Sequence, residues 1–310
     1  MKIGYFADGP WSHKALEKII SYGLFEIVFI VPRFDTQDPV LREWAIKLDV
    51  PFLCVDNVNC AEFISTLSGY SADLFVSMSF NQILKSEIID SAPKGFINCH
   101  AGALPFYRGR NPLNWVLING EDHFGVTVHY VDEGIDTGDI IEQKLFPISD
   151  SDDYKSLLGR AIPGCAEVLL KALIKIKNGE NETTKQKDIH AVGSYFGMRK
   201  LGDEILDFRW SALKIFNFVR AISDPGPCAR IWHDGQEYAL VSCCLIPDAM
   251  VYISTIGEVV GRNKSGVVVK VGDSVILLTK IKRIENQNKS DYEIPSFRIG
   301  TRFDVKGNYL

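Results

Sequence analysis

Residues 25–31, FEIVFIV, form a nearly continuous apolar run stopped by Pro32. A strand with one wet face alternates apolar and polar residues. A run without alternation suits a strand buried on both faces, as in a parallel sheet covered by helices. The neighbouring segments agree. Residues 2–7 read as a first short strand closed by Asp8-Gly9-Pro10, and residues 11–22 have helical spacing through Ala15, Leu16, Ile19 and Ile20. Residues 40–48 and 61–67 read as helices, and residues 51–55 and 73–77 as further strands. Strands alternating with helices imply right-handed crossovers and an α/β, Rossmann-like, mostly parallel sheet. Ligands of such sheets bind outside the carboxyl ends of the strands. The first turn, Asp8-Gly9-Pro10-Trp11-Ser12, is not G-x-G-x-x-G, which leaves no positive case for a nicotinamide dinucleotide. Ser12 there reads either as an ordinary helix cap or as part of a pocket lining.

Beyond residue 147 the chain reads as a long helix, capped by Ser151 or Asp152 and broken or kinked at Pro163. Residues 180–187, ENETTKQK, lose their apolar side chains and mark a boundary. The expected division is residues 1–185 as a first domain, 186–209 as a connecting loop and 210–310 as a second. In the second, residues 211–222 have the spacing of an amphipathic helix. From Ala229 onward, short runs including 297–303 (FRIGTRF) alternate with Gly and Asp turns, the pattern of a small β-rich domain.

The chemistry concentrates between Gly95 and Glu142. An apolar start, Phe96-Ile97, leads to Asn98 and His100, which are two apart and so project from the same face of a strand. A loop rich in breakers follows, with Gly102, Pro105, Gly109 and Pro112. A second apolar run over residues 124–131 ends in Asp132-Glu133-Gly134-Ile135-Asp136-Thr137-Gly138, a turn able to bring a carboxylate back to the strand-end pair. His129, on the second run, is a competing base for which a supporting role is favoured.

Asn98-x-His100, Leu104-Pro105-x-Tyr107-Arg108-Gly109 and Asp136-Thr137-Gly138-Asp139-Ile140 together resemble the folate-dependent formyltransferases. Among these, the chain is most similar to enzymes that formylate nucleotide-linked aminosugars for cell-surface polysaccharides such as O-antigen. The resemblance implies formyl transfer from 10-formyltetrahydrofolate to a primary amine, with a small OB-like C-terminal domain after the catalytic one. The implied catalytic residues are Asn98 as oxyanion donor, His100 as base, and Asp136 as holder of the imidazole and proton relay. For the folate it points to Ser79, Phe80, Gln82, Ile83 and Leu84, with Asp132 and Gly134 in the later loop. Ile83 and Leu84 read equally well as core. Candidates for the nucleotide-sugar are Gly9, Trp11, Tyr107, Arg108, Tyr195 and Arg199, and among the phosphate candidates the resemblance favours Arg199. Arg suits bidentate capture of phosphate. Arg110 and Lys200 are neighbouring cations, and Trp11 and Trp210 suit either base stacking or packing. The implied acceptor is dTDP-4-amino-4,6-dideoxyglucose, with UDP-4-amino-4-deoxyarabinose or methionyl-tRNA as alternatives. A homodimer is also implied.

Composition narrows the partners. A net charge of −5 and a pI near 5.7 disfavour a nucleic-acid binder. The seven cysteines form no C-x-x-C pair, which suits neither a disulfide framework nor a zinc ribbon, so no metal is expected. No run reaches the length of a membrane span, and the start of the chain lacks the pattern of a signal peptide. Cytoplasmic residence is the expectation, with small molecules rather than membrane as partners.

Overall fold

The computed structural model describes residues 1–180, 182–284 and 292–304. In chain order its elements begin with β1 (Lys2–Ala7), α1 (Gly9–Tyr22), β2 (Glu26–Pro32), α2 (Pro39–Leu48), α3 (Ala61–Ser68) and β3 (Leu74–Met78). Next come α4 (Ser86–Ile89), β4 (Phe96–His100), β5 (Arg108–Gly109), α5 (Pro112–Ile118), β6 (His123–Tyr130) and β7 (Ile140–Pro147). Then follow α6 (Tyr154–Asn178), α7 (Gln186–Ile189), β8 (Tyr195–Phe196) and α8 (Ala212–Ala221). The chain closes with β9 (Ala229–His233), β10 (Gln236–Leu245), β11 (Val259–Asn263), β12 (Gly266–Lys270) and β13 (Val275–Arg283). Two compact units result. Met1–Pro112, His123–Pro147 and Gly159–Gly197 form the first, and Leu113–Asp122, Ile148–Leu158 and Met198–Leu310 the second.

The first unit is built on a six-stranded sheet of order β2-β1-β3-β4-β6-β7. β2, β1, β3 and β4 run parallel, while β6 and β7 are antiparallel additions. Every residue of β3 is buried, as expected for a strand covered on both faces. Phe6, Phe29, Phe75 and Phe96 form one core cluster, and each buried ring contributes about 1.5–3 kcal/mol. Gly4 makes this possible, since a Cβ there would lie 2.2 Å from the Phe29 ring and 2.8 Å from that of Phe75.

Three local expectations are corrected. α1 starts at Gly9 with Asp8 as N-cap, and Ser12 lies buried inside the helix, because Pro10 is tolerated in a first turn. Residues 51–55 form no strand, only a single parallel bridge from Phe52 to Ile30. α6 runs unbroken through Pro163. The lost hydrogen bond costs roughly 3 kcal/mol, and a buried stripe through Ala161, Cys165, Val168, Leu169, Ala172, Leu173 and Ile176 offsets it on both sides of the proline.

The second unit holds a five-stranded antiparallel sheet of order β11-β12-β13-β10-β9, the β-rich domain foreseen in sequence. Ser211 caps α8 by accepting from the Lys214 N–H. Residues 297–303 supply a single bridge, Arg302 to Glu258, and not a strand. The start of α6 lies here, and its cap is Asp153, one residue past the expected pair. Asp153 Oδ1 accepts the Ser156 N–H at 2.8 Å, and Ser156 Oγ accepts the Asp153 N–H at 3.0 Å. Among the described residues no helix is long and apolar enough to cross a membrane.

Candidate active site

β4 ends by presenting Asn98 and His100 on one face, while Cys99 on the other points its thiol at the Cys165 carbonyl of α6. The antiparallel register of β6 sets His129 opposite Asn98 and Thr127 opposite His100. After β6 the chain turns back through Asp136, whose φ of 55° is a left-handed conformation that Asp tolerates better than most residues. The Asp136 carboxylate thereby lands between two imidazoles. Its Oδ2 is 3.6 Å from His100 Nδ1, and its Oδ1 is 3.5 Å from His129 Nε2. The Asn98 amide nitrogen is 3.2 Å from His129 Nε2 and 3.4 Å from Asp136 Oδ1.

Backbone carbonyls determine where the imidazole protons sit. His100 Nε2 is 2.7 Å from the Tyr107 carbonyl, and His129 Nδ1 is 2.7 Å from that of Tyr130. A carbonyl oxygen only accepts, so each of these outer nitrogens carries a hydrogen. The inner nitrogens, His100 Nδ1 and His129 Nε2, are therefore the basic ones, and both face Asp136. Burial pushes the Asp136 carboxyl upward, but His100, His129 and the Gly109 N–H together outweigh it and hold the group well below the usual carboxylate range. The result is a carboxylate held as an anion beside two imidazoles.

The breaker-rich loop is pinned around this cluster. Gly109 N–H donates to Asp136 Oδ2 at 2.8 Å. Thr127 Oγ donates to the Gly102 carbonyl at 2.7 Å, and Gln143 donates to the Leu104 carbonyl and to Thr127 Oγ. β5 pairs in parallel with β8, and the Tyr107 and Phe196 rings stack at 5.0 Å. Gly102 has no room for a side chain, because a Cβ would sit 2.5 Å from His100 Nε2 and 2.7 Å from the Tyr107 carbonyl oxygen. Gly102→Ala is expected to part that hydrogen bond and lower kcat by about 10²-fold through misplacement of the imidazole. Steady-state kinetics beside a thermal melt check it; unchanged kcat in a folded variant would contradict the tautomer assignment.

The remaining sequence-predicted residues fall into distinct settings. Phe80 and Leu84 join the core, with the Phe80 ring edge-on to Phe6 at 5.7 Å. Ile83 is 75% exposed. The Gln82 side chain is used internally, between the Val58 N–H and the Val55 carbonyl. Ser79 has a left-handed backbone and its carbonyl receives Arg33 Nε. Asp132 closes its own loop by accepting from Gly134 N–H and Thr137 Oγ. Gly9 N–H donates to Asp38, which also meets His13 at 2.7 Å; Trp11 is half-buried.

Arg108 departs from its expected use. Its Nε and Nη2 both donate to Gln186 Oε1, at 3.0 and 2.7 Å, and Nη1 donates to the Val192 carbonyl. The bidentate edge foreseen for phosphate is thus used internally. Tyr107 is buried and Tyr195 exposed. Arg199 lies in the second unit, half-buried over the Phe218 ring; burial pulls its guanidinium below the usual range, partly offset by Asp203 and Glu204. Trp210 packs edge-on against Phe218. The sequence did not show how closely His129 meets Asp136, nor that Gln186 reaches the Asp136 main chain. The cross-strand register with Asn98 would have signalled the first, but nothing local signals the second.

Residues 53–173 match the family model for formyl transferase, and residues 200–297 match that for formyl transferase, C-terminal domain. Among solved structures, WlaRD, a sugar 3N-formyl transferase in the presence of dTDP and 5-N-formyl-THF, is similar at a TM-score of 0.65 and 22% identity, covering 92% of this chain and 98% of its own. An N-formyltransferase from Helicobacter canadensis, complexed with folinic acid and dTDP-3-aminofucose, matches at 0.65 and 20%, covering 90% and 99%. A 4-N formyltransferase from Francisella tularensis matches at 0.62 and 20%, over 75% and 92%. At these identities the likeness is one of fold.

Proposed function

We propose that this chain, which belongs to the formyl transferase family, moves a formyl group from 10-formyltetrahydrofolate to the amine of a nucleotide-linked aminosugar. The observation that carries the reading is the convergence of Asn98, His100 and Asp136 around one point at the end of β4. Similar folds in the sugar 3N-formyl transferase WlaRD and in the H. canadensis enzyme, seen with formyl-folates and dTDP or a dTDP-sugar, favour this acceptor class. What supports a folate there is that Phe80, Leu84 and Val131 rest on the same core cluster, while Ile83 and Ile135, in the two expected folate segments, are exposed apolar side chains. Bound there, the folate supplies the formyl group.

The protein's residues have separable tasks. An Asn98 N–H is an uncharged donor for the oxygen that gains negative charge, and it does not quench a neighbouring base. His100 takes the amine proton on Nδ1, since Nε2 is already a donor to Tyr107. Asp136 holds the resulting imidazolium and helps relay its proton toward the leaving nitrogen. The acceptor proposed within the class is dTDP-4-amino-4,6-dideoxyglucose, for cell-surface polysaccharide synthesis.

The test presents 10-formyltetrahydrofolate with dTDP-4-amino- or 3-amino-sugars, UDP-4-amino-4-deoxyarabinose or charged initiator tRNA, and follows tetrahydrofolate release. Release only with dTDP-4-amino-4,6-dideoxyglucose is the expected result. Preference for tRNA would overturn the sugar reading, and release without any acceptor would make the protein a hydrolase.

A further inference from the structure

Gln186 lies outside both family-matched segments, in a stretch with the composition of a connector, yet it is only 3% exposed. Its amide is fully engaged. Oε1 receives two N–H groups of Arg108, at 3.0 and 2.7 Å, and Nε2 donates to the main-chain carbonyls of Asp136 and Gly138, each at 2.8 Å. A primary amide has two N–H donors and an oxygen able to accept two bonds, so its hydrogen-bonding capacity is filled.

These contacts close a ring. Arg108 reaches the Asp136 main chain through Gln186, and the next residue, Gly109, donates its N–H to the Asp136 carboxylate. Both ends of Asp136 are thereby fastened to the two-residue strand β5, which β8 holds from its other edge. An apolar side chain at 186 would leave two buried carbonyls and a guanidinium edge unsatisfied. A glutamate would keep Arg108 but turn acceptors toward acceptors.

We infer that Gln186 is a positioning residue for the reaction: by bracing Arg108 against the main chain at residues 136 and 138, it aims the Asp136 carboxylate at His100 and His129. This rests on the formyl-transfer reading above, and its test is arranged to fail separately from it. Gln186→Leu and Gln186→Glu are compared with the parent chain for transfer from 10-formyltetrahydrofolate to the dTDP-aminosugar, with kcat and KM resolved. The expected result is a fall in kcat of about 10²-fold, the scale of a small misplacement of a reacting group, with both KM values little changed. In an Asp136→Asn background the same substitutions are expected to cost nothing further, because they act through that carboxylate.

Unchanged kcat in a folded variant, or a full additional loss in the Asp136→Asn background, would overturn the inference. A second readout needs no turnover: the Gly109 amide signal in a ¹⁵N correlation spectrum, set by its bond to the carboxylate, is expected to move in Gln186→Glu. Should the parent transfer to no acceptor, the functional reading falls alone and this signal decides for Gln186. A static Gly109 signal would then rule out the brace.

Discussion

Exchange of Asp136 for Asn is expected to lower kcat by about 10²–10⁴-fold, the range associated with losing a general acid–base partner, while the chain stays folded. The carboxylate accepts the Gly109 N–H and faces the basic nitrogens of two imidazoles. An amide in its place must turn an NH₂ toward either the Gly109 donor or a histidine, and it provides no anion for the imidazolium. Stability should respond as well, with a definite sign. Asp136 is held below its unfolded value, so its contribution is present at pH above the ordinary carboxylate range and is lost as pH falls through and below that range. Thermal melts of parent and Asp136→Asn from about pH 7 to about pH 3 check this. The parent should lose more of its Tm on acidification than the variant. Parallel curves would mean that the carboxylate is not held as described.

Replacement of Asn98 by Ala is expected to lower kcat by about 10²–10³-fold, the range for removing one oxyanion donor. The Asn98 nitrogen lies within reach of both His129 and Asp136, so the amide is held in place before any substrate arrives. Truncation takes away the donor and also the group that meets His129 Nε2. Single-turnover formyl transfer at saturating co-substrates isolates the chemical step. A loss confined to KM would place Asn98 in ground-state binding instead.

The contrast between what sequence revealed and what it hid follows from the range of the interactions. The parallel half of the sheet was legible because burial on both faces leaves an unmistakable apolar run, as in residues 25–31. The convergence of Asn98, His100 and Asp136 was legible through their motifs. The imidazole tautomers were not, because they depend on carbonyls of Tyr107 and Tyr130 that any residue would supply. The use of Arg108 was misjudged for a related reason: an arginine beside a reactive loop advertises phosphate capture, and only the chain's return at Gln186 shows where its donors go. Pro163 read as a breaker because propensity is local, whereas the stripe that overrides it runs from Ala161 to Ile176.

The pairing of β5 with β8 sets a limit on recombination between relatives. A graft of residues 53–173 into a foreign host would transplant Asn98, His100 and Asp136 but leave Gln186 and Tyr195–Phe196 behind. Such a hybrid would inherit the reagents without the grip that keeps them in line. A working exchange has to reach at least Gly197, where the last segment of the first unit ends.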